Sequence, residues 1–109
     1  MKRRRLVTTS NYWQTLDFVL DWNDPPSREL LASLEVLTSA FKTVRQLPDV
    51  GRPYRGSLDS LLKRIIERLG DGQLREFVAG ELLVLYLSGP TQVSLLAVRH
   101  QKQSRYSFN

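Results

Sequence analysis

Cysteine is absent from this 109-residue chain, and histidine occurs once, as His100. The first absence removes disulfides, thiol nucleophiles and thiolate metal sites together. With a single imidazole as well, only carboxylates remain as metal donors. Asp17, Asp21 and Asp24 lack the loop spacing of a calcium site. "GRPYRG" at 51–56 has neither the lysine–serine ending nor the preceding strand of a phosphate-binding loop. No metal and no cofactor are expected. Long apolar runs are missing too. The longest, "LLVLYL" at 82–87, has the length of a buried strand and falls far short of the roughly 18 residues of a membrane span. The basic start "MKRRRLV" leads into no apolar stretch of a secretory signal. A cytoplasmic protein without membrane contact is the expectation.

Acids are absent after Glu81, whereas Arg99, His100, Lys102 and Arg105 crowd the last residues. An apolar share of 41% and a charged share of 25% describe an ordinary globule, and the length suits one domain over 1–109. The net charge of +5 is unevenly spread. Residues 1–5 are basic, and 16–40 lean acidic through Asp17, Asp21, Asp24, Glu29 and Glu35. Bases dominate again over 42–68. Such polarity points to an acidic or phosphate-bearing partner meeting one surface.

Leu6, Val7 and two threonines favour a short first strand, whose preceding bases mark it as an edge or a tail. Ser10 or Asn11 then caps a helix over "YWQTLDFVLDW", with Trp13, Leu16 and Leu20 on one face beside Tyr12 and Val19. On this spacing Tyr12, Trp13 and Trp22 read as core rather than as a binding platform. "NDPP" stops the chain and restarts it. The next stretch carries Leu30, Leu34, Leu37, Phe41 and Val44 at helical spacing, one apolar stripe over about five turns. So short a link places two such helices side by side as a hairpin.

After "PDVGRPYRG" a third helix is expected over about 57–69, with Ser57 as N-cap, Asp59 in the first turn and Gly70 closing it. Three strands follow, near 73–79, 82–88 and 92–99, and tight turns make them antiparallel. The middle strand is apolar on both faces, as a strand covered by helices would be. The expected class is α+β: an N-terminal helical hairpin on a three- to four-stranded antiparallel sheet, with an extra inserted helix.

In that order, particular segments carry a likeness. "LPDVGRPY" resembles the proline–acid–x–glycine–arginine–proline segment of ParE toxins. "QLREFVAGELLVLYL" resembles the arginine-containing and central strands that follow it there, and "VSLLAVRHQKQSRY" the terminal strand of the RelE/ParE superfamily. The likeness spans most of the chain. Its main departure is the helix within 54–72. The resemblance implies the toxin of a type II toxin–antitoxin module, neutralised by an antitoxin protein with an acidic, partly disordered tail.

Two mechanisms share that superfamily. RelE-like members cut messenger RNA on the ribosome without metal; ParE-like members inhibit DNA gyrase by binding it. For a nuclease, His100 is the acid or base with a pKa near neutrality, Arg99 steadies phosphate, and Tyr106 stacks or assists proton transfer. Against it, Leu83 stands where the nucleases carry an arginine on the central strand. Their lysine-rich approach is also missing, unless Lys63, Arg64 and Arg68 replace it. The glycine–arginine–proline segment and the long second helix place the ParE-like reading first. Lys102, Arg105, Arg52 and Arg55 are then the target- or phosphate-binding candidates, and residues 99–106 are expected to extend past the sheet edge as a tail. A plain basic nucleic-acid-binding module is the third alternative, recognisable by steeply salt-dependent affinity. Arg99 and His100, being adjacent, point to opposite faces of a continuing strand.

Overall fold

The computed structural model describes residues 4–108, so Lys2 and Arg3 of the basic run lie outside the described residues. A short strand β1 (Arg5–Thr8) leads into α1 (Ser10–Trp22), and α2 (Arg28–Gln46) follows. Thr9 caps α1 one residue earlier than expected, its hydroxyl accepting from the Tyr12 amide, and Ser27 caps α2 by accepting from Leu30. The two-residue β2 (Arg52–Pro53) precedes α3 (Ser60–Leu69), and β3 (Gln73–Ala79), β4 (Leu82–Ser88) and β5 (Gln92–His100) complete the chain.

The start of α3 differs from expectation. Asp59, not Ser57, is its N-cap, because the Asp59 carboxylate accepts from the Leu61 amide at 2.8 Å while the Ser57 carbonyl accepts from the Tyr54 hydroxyl. A charged acceptor on a helix's first free amides outweighs a neutral hydroxyl.

The protein is α+β, and its described residues form three helices and a five-stranded mixed sheet in the order β1-β5-β4-β3-β2. β3, β4 and β5 pair antiparallel through their tight turns. β1, however, pairs parallel with β5, and β2 adds a second edge on β3. The expectation of three to four antiparallel strands therefore gives way. Turn geometry fixes direction only between strands that a turn joins, and β1 reaches β5 from the other end of the chain.

Both faces of the sheet are covered, and β4 shows why its sequence is apolar throughout. Leu82, Val84 and Tyr86 face Tyr12, Val19, Leu30, Leu37 and Val44 of α1 and α2. Leu83, Leu85 and Leu87 face Leu62 of α3 together with Leu96, Ala97 and Tyr106. Alternation along one strand thus feeds two cores. Each fully buried leucine here contributes roughly 1.5–3 kcal/mol of transfer free energy. Tyr12 is core, meeting Phe41 edge-on at 6.4 Å, but Trp13 and Trp22 are half-exposed. The expectation that both tryptophans are core is corrected. The buried side of α1 is filled by Asn11, Tyr12, Thr15 and Val19, leaving the indoles at its rim.

A bulge decides what β5 presents. Leu85 pairs with Ala97 and Tyr86 with Leu95, so Leu96 is one residue in excess. Leu96 and Ala97 both pack towards α3, and alternation resumes with Val98 towards α1 and α2. Beyond the end of β1, side chains of α1 take up the backbone of this stretch. The Asn11 amide donates to the Leu96 carbonyl at 2.9 Å, and the Thr15 hydroxyl accepts from the Val98 amide at 2.9 Å. These bonds explain two polar residues at a buried helix face. Among the described residues, no helix is long and apolar enough to cross a membrane.

Candidate functional site

A cleft of about 470 Å³ opens on the α3 side of the sheet, lined by Arg52, Tyr54, Arg55, Glu76, Arg99, Arg105 and Tyr106 among others. Two arms of irregular chain build it.

The first arm is the loop after α2. The buried Tyr86 hydroxyl donates to the Pro48 carbonyl at 2.6 Å and accepts from the Gly51 amide at 3.0 Å. From the same face, Arg75 donates through Nε to the Gly51 carbonyl at 2.9 Å and through Nη2 to the Asp49 carbonyl at 3.1 Å. Gly51 itself has no room for a side chain. A Cβ there would lie 2.5 Å from the Glu76 carbonyl oxygen and 2.6 Å from the Tyr86 hydroxyl. "PDVGRP" is therefore a clamp that drops Arg52 onto β3, opposite Glu76.

The second arm is the chain after β5. Rather than extending past the sheet edge, residues 101–106 fold back, and Tyr106 is buried. The tail expected there is corrected: Tyr106 finds an apolar bed against Leu62, Leu83 and Leu85, and its hydroxyl finds an acceptor. The Tyr106 ring meets Tyr54 edge-on at 6.0 Å, and the Arg99 guanidinium lies 5.3 Å from its centroid, a cation–π contact. Arg99 also donates to the Gln103 carbonyl.

Glu76 forms the floor. It is buried, with Oε1 accepting from Arg52 Nε at 2.9 Å and Oε2 from the Tyr106 hydroxyl at 2.8 Å. Burial, then the hydrogen bond and the charge of Glu76, push the Tyr106 hydroxyl far above its usual phenolic value, with Arg99 opposing in part. Tyr106 thus remains a protonated donor. Tyr54 is also raised, chiefly by burial. Arg52 is 61% exposed at its side chain, so its ion pair with Glu76 contributes only about 0.2–1 kcal/mol. Four guanidiniums face one carboxylate, which leaves the cleft strongly cationic. Arg52 and Glu76 also line a separate groove of about 360 Å³ on the α2 side of the β2 edge, whose other walls include Ala40, Thr43, Val44, Val50 and Phe77.

His100 is elsewhere. It is 4% exposed and lies on the α1 side of the sheet, with Trp22 edge-on at 5.9 Å. Its Nδ1 accepts from the Lys102 amide at 3.1 Å, so the neutral ring carries its proton on Nε2, which donates to Glu81 at 2.9 Å. The expected trio of His100, Arg99 and Tyr106 is thus not one constellation. Arg99 and Tyr106 share the cleft with Arg52, Arg55 and Arg105, whereas His100 and Lys102 do not line it. Sequence reasoning missed Glu76 and Tyr54. A lone carboxylate inside a strand that pairs with the wholly apolar β4 was the available signal for Glu76.

Among the described residues, no group of three or more carboxylates and histidines is placed to hold a metal ion. Compared with known proteins, the chain matches no family model and no curated protein.

Proposed function

We propose that this chain is the toxin of a type II toxin–antitoxin module, acting in the ParE-like manner by binding DNA gyrase and neutralised by an acidic antitoxin. In this reading α1 and α2 are the helical hairpin of such toxins, packed on the antiparallel β3–β4–β5 unit, with α3 inserted. One observation carries it. The cleft's carboxylate and phenol are committed to each other and to Arg52, while Arg55 and Arg105 stand exposed at the rim. A cationic surface whose acid–base groups are already engaged is built to dock a partner. An acidic segment would place carboxylates among the arginines and its apolar side chains in the adjoining groove, gaining charge-assisted hydrogen bonds and apolar burial together.

A second reading, ribosome-dependent cleavage of messenger RNA, is favoured by the position of Glu76. A carboxylate surrounded by arginines is a fit base for a ribose 2′-hydroxyl beside a phosphate that the arginines would steady. It replaces His100 in that role, since His100 lies on the other face of the sheet.

Controlled expression with two readouts separates the readings. Inhibited supercoiling with intact transcripts supports gyrase binding; transcripts cut on the ribosome overturn it. Glu76→Gln sharpens the comparison. The amide still accepts from Tyr106 but removes the one negative charge of the cleft, so gyrase inhibition persists, whereas cleavage through Glu76 is lost.

A further inference from the structure

We infer that His100 is a latch that positions the second wall of the cleft, a role that rests on the docking reading above and is carried by bonds on the opposite face of the sheet. The chain must reverse at the end of β5 for Arg105 and Tyr106 to return to Arg99. Three of the bonds that close this reversal involve His100. Its ring Nδ1 accepts from the Lys102 amide at 3.1 Å, its amide donates to Gln103 Oε1 at 2.8 Å, and its carbonyl accepts from the Gln103 amide at 2.9 Å. Gln101 is held from the β3–β4 turn, its amide donating to the Glu81 carbonyl at 2.8 Å.

The ring is fixed in turn from two sides. Glu81 accepts from Nε2, and the Trp22 edge limits its rotation. The Glu81 amide is itself held by the Ser33 hydroxyl of α2 at 2.8 Å. A line of contacts therefore runs from α2 through Glu81 and His100 to Gln103. The Gln103 carbonyl then fixes the Arg99 guanidinium, which lies by the Tyr106 ring. His100 touches no ligand in this scheme; it sets where Arg99 and Tyr106 stand.

Two substitutions divide the ring's functions. His100→Asn places an amide oxygen close to the position of Nδ1 and retains the acceptor for Lys102. His100→Gln reaches towards Glu81 and loses that acceptor. The full chain of each variant, isotopically labelled, is compared by amide exchange at Lys102, by the Arg99 Nε–H and Tyr106 ring resonances, and by titration with a hexaglutamate peptide.

The latch predicts that His100→Gln raises Lys102 exchange about tenfold, the worth of one such bond. It also predicts that His100→Gln shifts the Arg99 and Tyr106 signals and weakens hexaglutamate binding, with His100→Asn near wild type in all three. Unmoved Arg99 and Tyr106 signals in folded His100→Gln overturn it, whatever the change in thermal midpoint, because a purely structural histidine gives that pattern. If wild type fails to bind hexaglutamate, the docking reading falls, while exchange and resonance still decide the latch. Should His100→Gln fail to fold, Gln103→Ala removes the Oε1 acceptor at a position outside both cores; exchange is then read at the His100 amide, which loses that acceptor, and the same Arg99 and Tyr106 resonance outcomes apply.

Discussion

Gly51→Ala is the substitution in which fold and site meet most directly. The new methyl would sit 2.5 Å from the Glu76 carbonyl oxygen, 2.6 Å from the Tyr86 hydroxyl and 2.9 Å from its Cε1. Neither neighbour is free to yield. The first is backbone inside a paired strand, and Tyr86 is fully buried against Phe77, with ring centroids 5.6 Å apart. The loop must therefore lift, breaking the Gly51–Tyr86 and Tyr86–Pro48 bonds and loosening the Arg75 bracket. Overpacking costs about 1–3 kcal/mol, and a buried polar group left unpaired about as much again. A loss of about 2–6 kcal/mol follows, a large share of the roughly 5–15 kcal/mol by which a domain is stable. Arg52 leaves Glu76 in the same movement, so affinity for an acidic partner falls further than stability alone explains. Denaturant unfolding gives the first quantity and titration of the folded fraction the second. Tyr86→Phe serves as partner in a double-mutant cycle. Because both changes free the same loop, their joint cost is less than the sum. A Gly51→Ala variant within about 1 kcal/mol of wild type, with Arg52 still on Glu76, would refute this account of the clamp.

Other outcomes follow from the same contacts. Asn11→Ala and Thr15→Val each strip a partner from the β5 backbone at the bulge. Each should cost about 1–3 kcal/mol, read by unfolding, and should hasten amide exchange at Val98 for Thr15→Val. Arg55→Ala and Arg105→Ala should weaken binding of an acidic peptide and lower its salt dependence, whereas Lys102→Ala, off the cleft, should not; titration at two ionic strengths checks this. The tyrosines set an alkaline limit. Burial holds Tyr12 up at about 12 and Tyr106 higher still, so above a pH of about 10 the unfolded chain ionises first. Stability is then complete below pH of about 10 and declines as pH rises towards the folded values, by about 1.4 kcal/mol per unit for each group. Tyr106→Phe removes one share of that slope, measured by unfolding at pH of about 9 and about 11.

The elements were legible where one physical signal dominated. The stripe from Leu30 to Val44 and the three closing strands lie within a residue or two of their expected places, because apolar periodicity and turn residues act locally. The direction of β1 was not legible, since no turn connects it to β5. Nor was the cap of α3, where two acceptors two residues apart compete. At the site, the arginines were found by charge and Tyr106 by its place in the tail. Glu76 was hidden because a single acid in a strand ordinarily faces water, and only the tertiary fold brings Tyr106 back to cover it. His100 invited a chemical role through its pKa class, but its neighbours on the other face of the sheet were set by the bulge.

That supernumerary Leu96 has a consequence for how this chain can change. Had the same residues paired in plain alternation, with no bulge, every residue after Leu96 would be turned through half a rotation. Arg99 would then be delivered beneath the first two helices and His100 into the arginine pocket. Loss of Leu96 itself would only straighten the strand, since Ala97 already pairs with Leu85, whereas loss of a single codon just after a retained bulge, at position 98, would exchange the two side chains without altering either. No point substitution nearby has that reach. The chemistry on offer at this surface depends on the parity of a count as much as on the identity of the letters.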